Sequence, residues 1–158
     1  MCSGKTTVGR ILADRIGWDL LDVDSEIEKR EGMSIPLIFE KKGEEYFRDL
    51  EIRVLRDLAE RERVVISTGG GLGSNPEAMD LMKRRGYVVW IEVSFEEFLK
   101  RCSGSGDRPL LRLGEKALRE LMKKRAEVYS RAHIRVSGER EPREVAEEIL
   151  VSLSGCLS

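Results

Sequence analysis

The opening run Met1-Cys2-Ser3-Gly4-Lys5-Thr6-Thr7-Val8-Gly9 holds residue types suited to phosphate. Gly4-Lys5-Thr6 is the closing half of the pattern G-x-x-x-x-G-K-[ST], in which backbone N–H groups at a helix N-terminus meet phosphate oxygens. Gly4 lets the backbone come close, Lys5 brings a mobile cation to the outer phosphates, and the Thr6 hydroxyl is a hard oxygen ligand for Mg²⁺. The first glycine of the pattern falls upstream of Met1, as does the apolar strand that should feed the loop. A helix start with a solvated Lys5 is the plainer alternative.

Three further groups could carry chemistry. Asp22-Val23-Asp24 stands at the C-terminal end of an expected strand, where parallel sheets bind ligands. On a strand, an i, i+2 pair points both carboxylates the same way, roughly 7 Å apart. One would serve a metal and the other a substrate hydroxyl; helix capping by Asp24-Ser25 is the bland alternative. Gly69-Gly70-Gly71 directly follows the β-branched run Val64 to Thr68, which suits close approach of backbone N–H groups to a ligand better than a plain turn. Ser67, at that strand's end, is placed to hold a water on Mg²⁺. The arginines come last. Arg125 falls inside the apolar stripe Leu118, Leu121, Met122 and Tyr129, and an inward guanidinium is costly unless an anion meets it, a buried structural ion pair being the plainer alternative. Arg48 follows Phe47, with Glu44 and Glu51 in reach as ordinary surface partners. Two convergent arginines would fork onto a carboxylate, favouring a small anionic substrate. Arg108-Pro109-Leu110-Leu111, after Ser103-Gly104-Ser105-Gly106, suits a loop that closes an arginine over phosphates, with a disordered surface loop as the alternative.

The elements that must position these residues alternate between helical and extended from end to end, which argues an α/β fold with a mostly parallel sheet. Helices are expected from Val8 to Gly17, from Ser25 to Glu31, after Ser34-Ile35-Pro36, from Glu44 to Arg61, and from Asn75-Pro76 to Arg85. Others follow from Ser94 to Cys102, from Glu115 to Arg131 and from Pro142 to Leu153, with strands at Trp18 to Asp24, Val64 to Thr68, Tyr87 to Val93 and Ile134 to Ser137. The 158 residues suit one domain. With 28 basic and 29 acidic residues the net charge is -1, which speaks against a broad nucleic-acid footprint. No apolar run suits a membrane span and no signal segment opens the chain, so a cytoplasmic protein is expected. Cys2, Cys102 and Cys156 lack the spacing of a zinc site and are expected as free thiols. The single His133 leaves no room for multi-histidine metal chemistry.

In order and spacing, these pieces resemble the shikimate kinases, the small P-loop kinases of aromatic amino-acid biosynthesis. The resemblance covers essentially the whole chain and rests on Gly4 to Gly9, Leu21 to Asp24, Ser34 to Phe39, Gly43 to Arg48, Ser67 to Gly71, Arg108 to Leu111, and Lys124-Arg125 with Tyr129. It implies a P-loop NTPase fold, three layers α/β/α around a mostly parallel five-stranded sheet whose central first strand is missing from this chain. Residues 25–61 would bind shikimate and residues 103–114 would form the lid of one domain spanning 1–158. Transferred position by position, Lys5, Asp24 and Arg108 are the catalytic residues. Ser3, Gly4, Lys5, Thr6 and Thr7 hold ATP with Arg108, while Arg101, Arg140 and Pro142 lie towards adenine. Thr6, Asp22 and Ser67 serve Mg²⁺, the last two through water. Asp24, Phe39, Phe47, Arg48, Glu51, Gly69, Gly70, Gly71 and Arg125 contact shikimate. The implied reaction moves the ATP γ-phosphoryl group to the 3-hydroxyl of shikimate in a monomer that binds neither nucleic acid nor membrane. The alternatives are another small-metabolite P-loop kinase, such as a gluconate kinase, and a non-catalytic nucleotide- or metabolite-binding module.

Overall fold

The computed structural model describes residues 4–103 and 114–157, apart from the side chains of Ser103, Cys156 and Leu157. Ser3, Arg108 and nearly all of the expected lid therefore lie outside the described residues.

Gly4, in the left-handed region with φ 77°, is the N-cap of α1 (Lys5–Ile16), and Gly17, at φ 72°, closes it. The inner face of α1 carries Val8, Leu12 and Ala13. Gly9 lets that face lie close on the strands beneath, since a Cβ there would sit 3.2 Å from Leu20 Cδ1. Strand β1 (Asp19–Asp22) is shorter than the expected Trp18 to Asp24 and turns at once into α2 (Val23–Glu31). The cap is Asp22, whose Oδ1 accepts from Ser25 N at 3.1 Å, where Ser25 was expected to cap. Helix α3 (Ile35–Leu58) starts at the expected Ser34 cap and breaks at Gly43, with φ 85° and ψ 167°. Strand β2 (Val64–Ser67) leads into the one-turn helix α4 (Gly70–Gly73), and Asn75 caps α5 (Pro76–Arg85). Strand β3 (Val89–Glu92), α6 (Phe95–Ser103), α7 (Glu115–Tyr129), β4 (Ile134–Ser137) and α8 (Pro142–Leu157) complete the order.

The parallel pairing runs β1 with β2 and β3 with β4, in registers that set Asp22 beside Ser67 and Glu92 beside Ser137. One five-stranded sheet lacking its first strand was expected. Among the described residues, four strands form two separate pairs. Ladder hydrogen bonds need strands about 4.8 Å apart. Instead β2 and β3 face each other across a cleft of about 1130 Å³ walled by Val64 to Thr68 and Val88 to Val93.

Three apolar clusters hold the layers. The largest joins α2, α3, α4 and α5 through Val23, Ile27, Ile38, Phe47, Val54, Leu55, Leu58 and Leu72. A second packs Val8 and Leu12 of α1 against Ile134, Val136 and Ile149. The third sets Val93 and Phe98 against Leu118, with Phe98 fully buried, which stabilises by about 1.5–3 kcal/mol for such a side chain. Cys102 belongs to it and is disulfide-bonded, correcting the expectation of free thiols. Spacing along the chain does not limit which thiols the fold brings together. No helix among the described residues is long and apolar enough to cross a membrane.

Candidate active site

The phosphate end is the start of α1. Its first turn carries no acidic residue, and a helix N-terminus of that kind suits an anion. Thr6 and Thr7 are exposed there. Thr6 Oγ1 donates to Asp22 Oδ2 at 3.5 Å, and the β1–β2 register brings Ser67 alongside Asp22. Ser67 is 7% exposed, and its Oγ is a buried oxygen without a hydrogen-bond partner among the described residues. A buried hydroxyl in that state suits a bound water or ion shell. No cluster of three or more His, Cys, Asp or Glu that could hold a metal occurs among the described residues. Three hard oxygens beside a phosphate site still fit Mg²⁺, which keeps several waters and takes phosphate oxygens as ligands.

Arg101 flanks the same end. Its Nη1 comes within 4.0 Å of where a Gly4 Cβ would be, while its Nε donates to Glu97 at 2.8 Å and its Nη2 to Gly138 O at 2.6 Å. That last bond ties the turn before α8 to the phosphate end. Arg140, in that turn, is ion-paired with Glu148, and Pro142 opens α8.

The acceptor end is assembled from α2, α3, α4 and α7. Asp24 lies in the first turn of α2, not on a strand, so the i, i+2 argument for Asp22 and Asp24 fails: the Asp22 cap turns the chain one residue too early. The two carboxylates are close even so. Burial first, and then the charge of Asp22, push the Asp24 carboxyl above its ordinary 3.8, while Lys5 and Arg48 pull it down. Asp24 thus feels the charges of both Lys5 and Arg48. Glu51, 2% exposed, is pushed up by desolvation against the opposing Arg48 hydrogen bond and charge, with Asp24 raising it further and Arg125 lowering it.

Arg48 Nη1 donates to Glu51 Oε1 at 2.7 Å, and its Nε stands 3.6 Å from Glu44 Oε1, so both alternative partners are used. The guanidinium lies over the Phe47 ring, which in turn packs on Phe39 with centroids 4.7 Å apart. The glycines make room for it. A Cβ on Gly71 would stand 2.3 Å from Arg48 Nη1, and one on Gly69 would touch Asp24 and Glu51 oxygens at 3.6 and 3.7 Å. The glycine run is thus a one-turn helix pressed against charged side chains.

From the sequence, Tyr129 is part of an apolar stripe and, with Lys124-Arg125, of the family resemblance, with no role of its own. Its hydroxyl donates to Gly70 O at 2.6 Å and takes a hydrogen bond from Arg125. Burial raises the phenol above 10.0, keeping it a donor at physiological pH. The available signal was that a half-buried tyrosine needs a partner for its hydroxyl.

Parallel strands that end on Asp22 and Ser67, beside a helix start led by Gly4-Lys5-Thr6, place the chain in the P-loop class of α/β proteins. A model of the family described as "Shikimate kinase" matches residues 1–154. A shikimate kinase of Aquifex aeolicus is 56% identical over 155 residues, covering 98% of this chain and 92% of its own. The crystal structure of shikimate kinase from Aquifex aeolicus superposes with a TM-score of 0.92 at 55% identity, over 99% of this chain and 94% of that one. The shikimate kinase of Acinetobacter baumannii in complex with shikimate does so with a TM-score of 0.91 at 40% identity, over 100% and 91%. The chain belongs to the shikimate kinase family.

Proposed function

We propose that this protein transfers the ATP γ-phosphoryl group to the 3-hydroxyl of shikimate, giving shikimate 3-phosphate and ADP. What supports the reading is that the Asp24 carboxyl feels the charges of both Lys5 and Arg48 and lies, with Glu51, against Gly69, as suits a carboxylate that serves an acceptor between the two cations. A purely nucleotide-binding module has no need of that arrangement.

In the reaction, Asp24 orients the acceptor hydroxyl and takes its proton late, since its carboxylate is a modest base even when raised. The acceptor oxygen bonds to the γ-phosphorus as the bridging P–O bond to ADP breaks. Arg48 and Arg125 hold the ring carboxylate, with Phe39, Phe47, Glu51 and the backbone of Gly69, Gly70 and Gly71 shaping the pocket. Lys5 and the leading N–H groups of α1, with Ser3, Gly4, Thr6 and Thr7, hold the phosphates. Arg101, Arg140 and Pro142 face the adenine side. Thr6 would ligate Mg²⁺, with Asp22 and Ser67 reaching it through water, and the ion would neutralise phosphate charge during transfer. In this reading residues 25–61 form the acceptor region, residues 103–114 the lid that brings Arg108 to the phosphates, and the protein works as a cytoplasmic monomer.

The test is ADP release from Mg-ATP with shikimate, with gluconate as control acceptor. Release that depends on shikimate and yields a phosphorylated product is expected. Release equal with gluconate, or none above background from folded protein, would overturn the reading.

A further inference from the structure

The acceptor arginines come from helices far apart in sequence, Arg48 on α3 and Arg125 on α7. One side chain links their supports. The Tyr129 hydroxyl accepts a hydrogen bond from Arg125 and donates to Gly70 O at 2.6 Å. Gly70 O also accepts from Ser74 N at 3.1 Å, so both of its lone pairs are engaged and the peptide leading into Gly71 is held from two sides. Gly71 is the residue against which the Arg48 guanidinium lies, with 2.3 Å between its absent Cβ and Nη1. The tyrosine ring is fixed in turn. It packs on Trp90 with centroids 5.7 Å apart, and its Cε1 would stand 3.3 Å from a Cβ on Gly73.

We infer that Tyr129 is the positioning residue of the acceptor site: through its hydroxyl it orients Arg125 directly and, through Gly70 and Gly71, sets the surface on which Arg48 rests. The inference rests on the shikimate kinase reading. It assigns Tyr129 no contact with substrate or with the transferred group. The ring does the packing, which Tyr129→Phe retains, and the hydroxyl does the positioning, which Tyr129→Phe removes. The string runs through α7, α4 and α3, the helices of the acceptor side, so the effect is expected at the acceptor.

The experiment measures KM for shikimate, KM for ATP and kcat in the wild type, Tyr129→Phe, Arg125→Lys and the double variant. Losing the hydroxyl, with its bonds to Arg125 and to Gly70 O, predicts a rise in the shikimate KM of about tenfold for Tyr129→Phe. The ATP KM should stay within about twofold, since an independent site does not couple. The double variant should lose less than the product of the single losses, because both changes break one string. A shikimate KM unchanged in Tyr129→Phe, both KM values raised by one factor, or losses that multiply would each overturn the assignment. A wild type inactive with shikimate would overturn the functional reading and this inference with it, whereas an active wild type beside an unmoved Tyr129→Phe would overturn this inference alone.

Discussion

In the proposed reading the phosphates are met at the start of α1 by backbone amides and adjacent side chains within Ser3 to Thr7, whereas the acceptor end draws Asp24, Arg48, Glu51, Gly71, Arg125 and Tyr129 from four helices. The phosphate end needs little beyond a helix and a left-handed glycine before it. The acceptor end is a set of mutually dependent charges, in which Glu51 is buried against Arg48 and both Glu51 and Tyr129 feel Arg125. Damage to the first should therefore be local and large, while damage to the second should spread among neighbours.

Four substitutions break or sharpen that contrast. Lys5→Ala should cost about 10³-fold in kcat, as for loss of one preorganised charge-stabilising group, with shikimate binding unmoved; steady-state kinetics and direct binding check it. Arg125→Leu should raise the shikimate KM about 10²-fold with little change in the ATP KM, since a charge-assisted carboxylate contact is lost. Gly71→Ala puts a Cβ where the Arg48 guanidinium now lies. The side chain can swing aside, so about a tenfold rise in the shikimate KM is expected, without loss of fold.

Glu51→Gln acts in two directions. The Glu51 carboxyl is raised above its ordinary 4.5, so its protonated form is favoured in the fold. Its contribution to stability is present below that value and is lost as pH rises through the raised one. Glutamine should thus raise Tm by about 2–4 °C near neutral pH if roughly 1 kcal/mol of burial cost is relieved, and change it little in acid. The shikimate KM should rise at the same time, because Arg48 loses its charged partner. Thermal melts at the two pH values, paired with kinetics, check both signs.

The same contrast decides what could be read from sequence. Gly4-Lys5-Thr6 is a contiguous motif whose local conformation carries its meaning, and the caps Ser34, Asn75 and Ser94 are short-range features found where expected. Arg125 stood out as a charge within an apolar stripe. The Asp22 to Ser25 segment misled because either residue can cap, and the choice moves Asp24 from strand to helix. The Gly71 contact with Arg48 and the bond from Tyr129 to Gly70 join positions tens of residues apart, where periodicity reports burial but not partners.

Asp24 feels the charges of Lys5 and Arg48 together, one from each end of the proposed site. The most direct measurement is therefore turnover with shikimate beside ATP binding in Asp24→Asn. The expected result is loss of at least about 10³-fold in kcat, equivalent to roughly 4 kcal/mol, with ATP affinity within about twofold of wild type. Turnover retained within about tenfold, roughly 1.4 kcal/mol, or ATP binding lost along with it, would contradict a carboxylate that serves the acceptor while the phosphate end stands on its own.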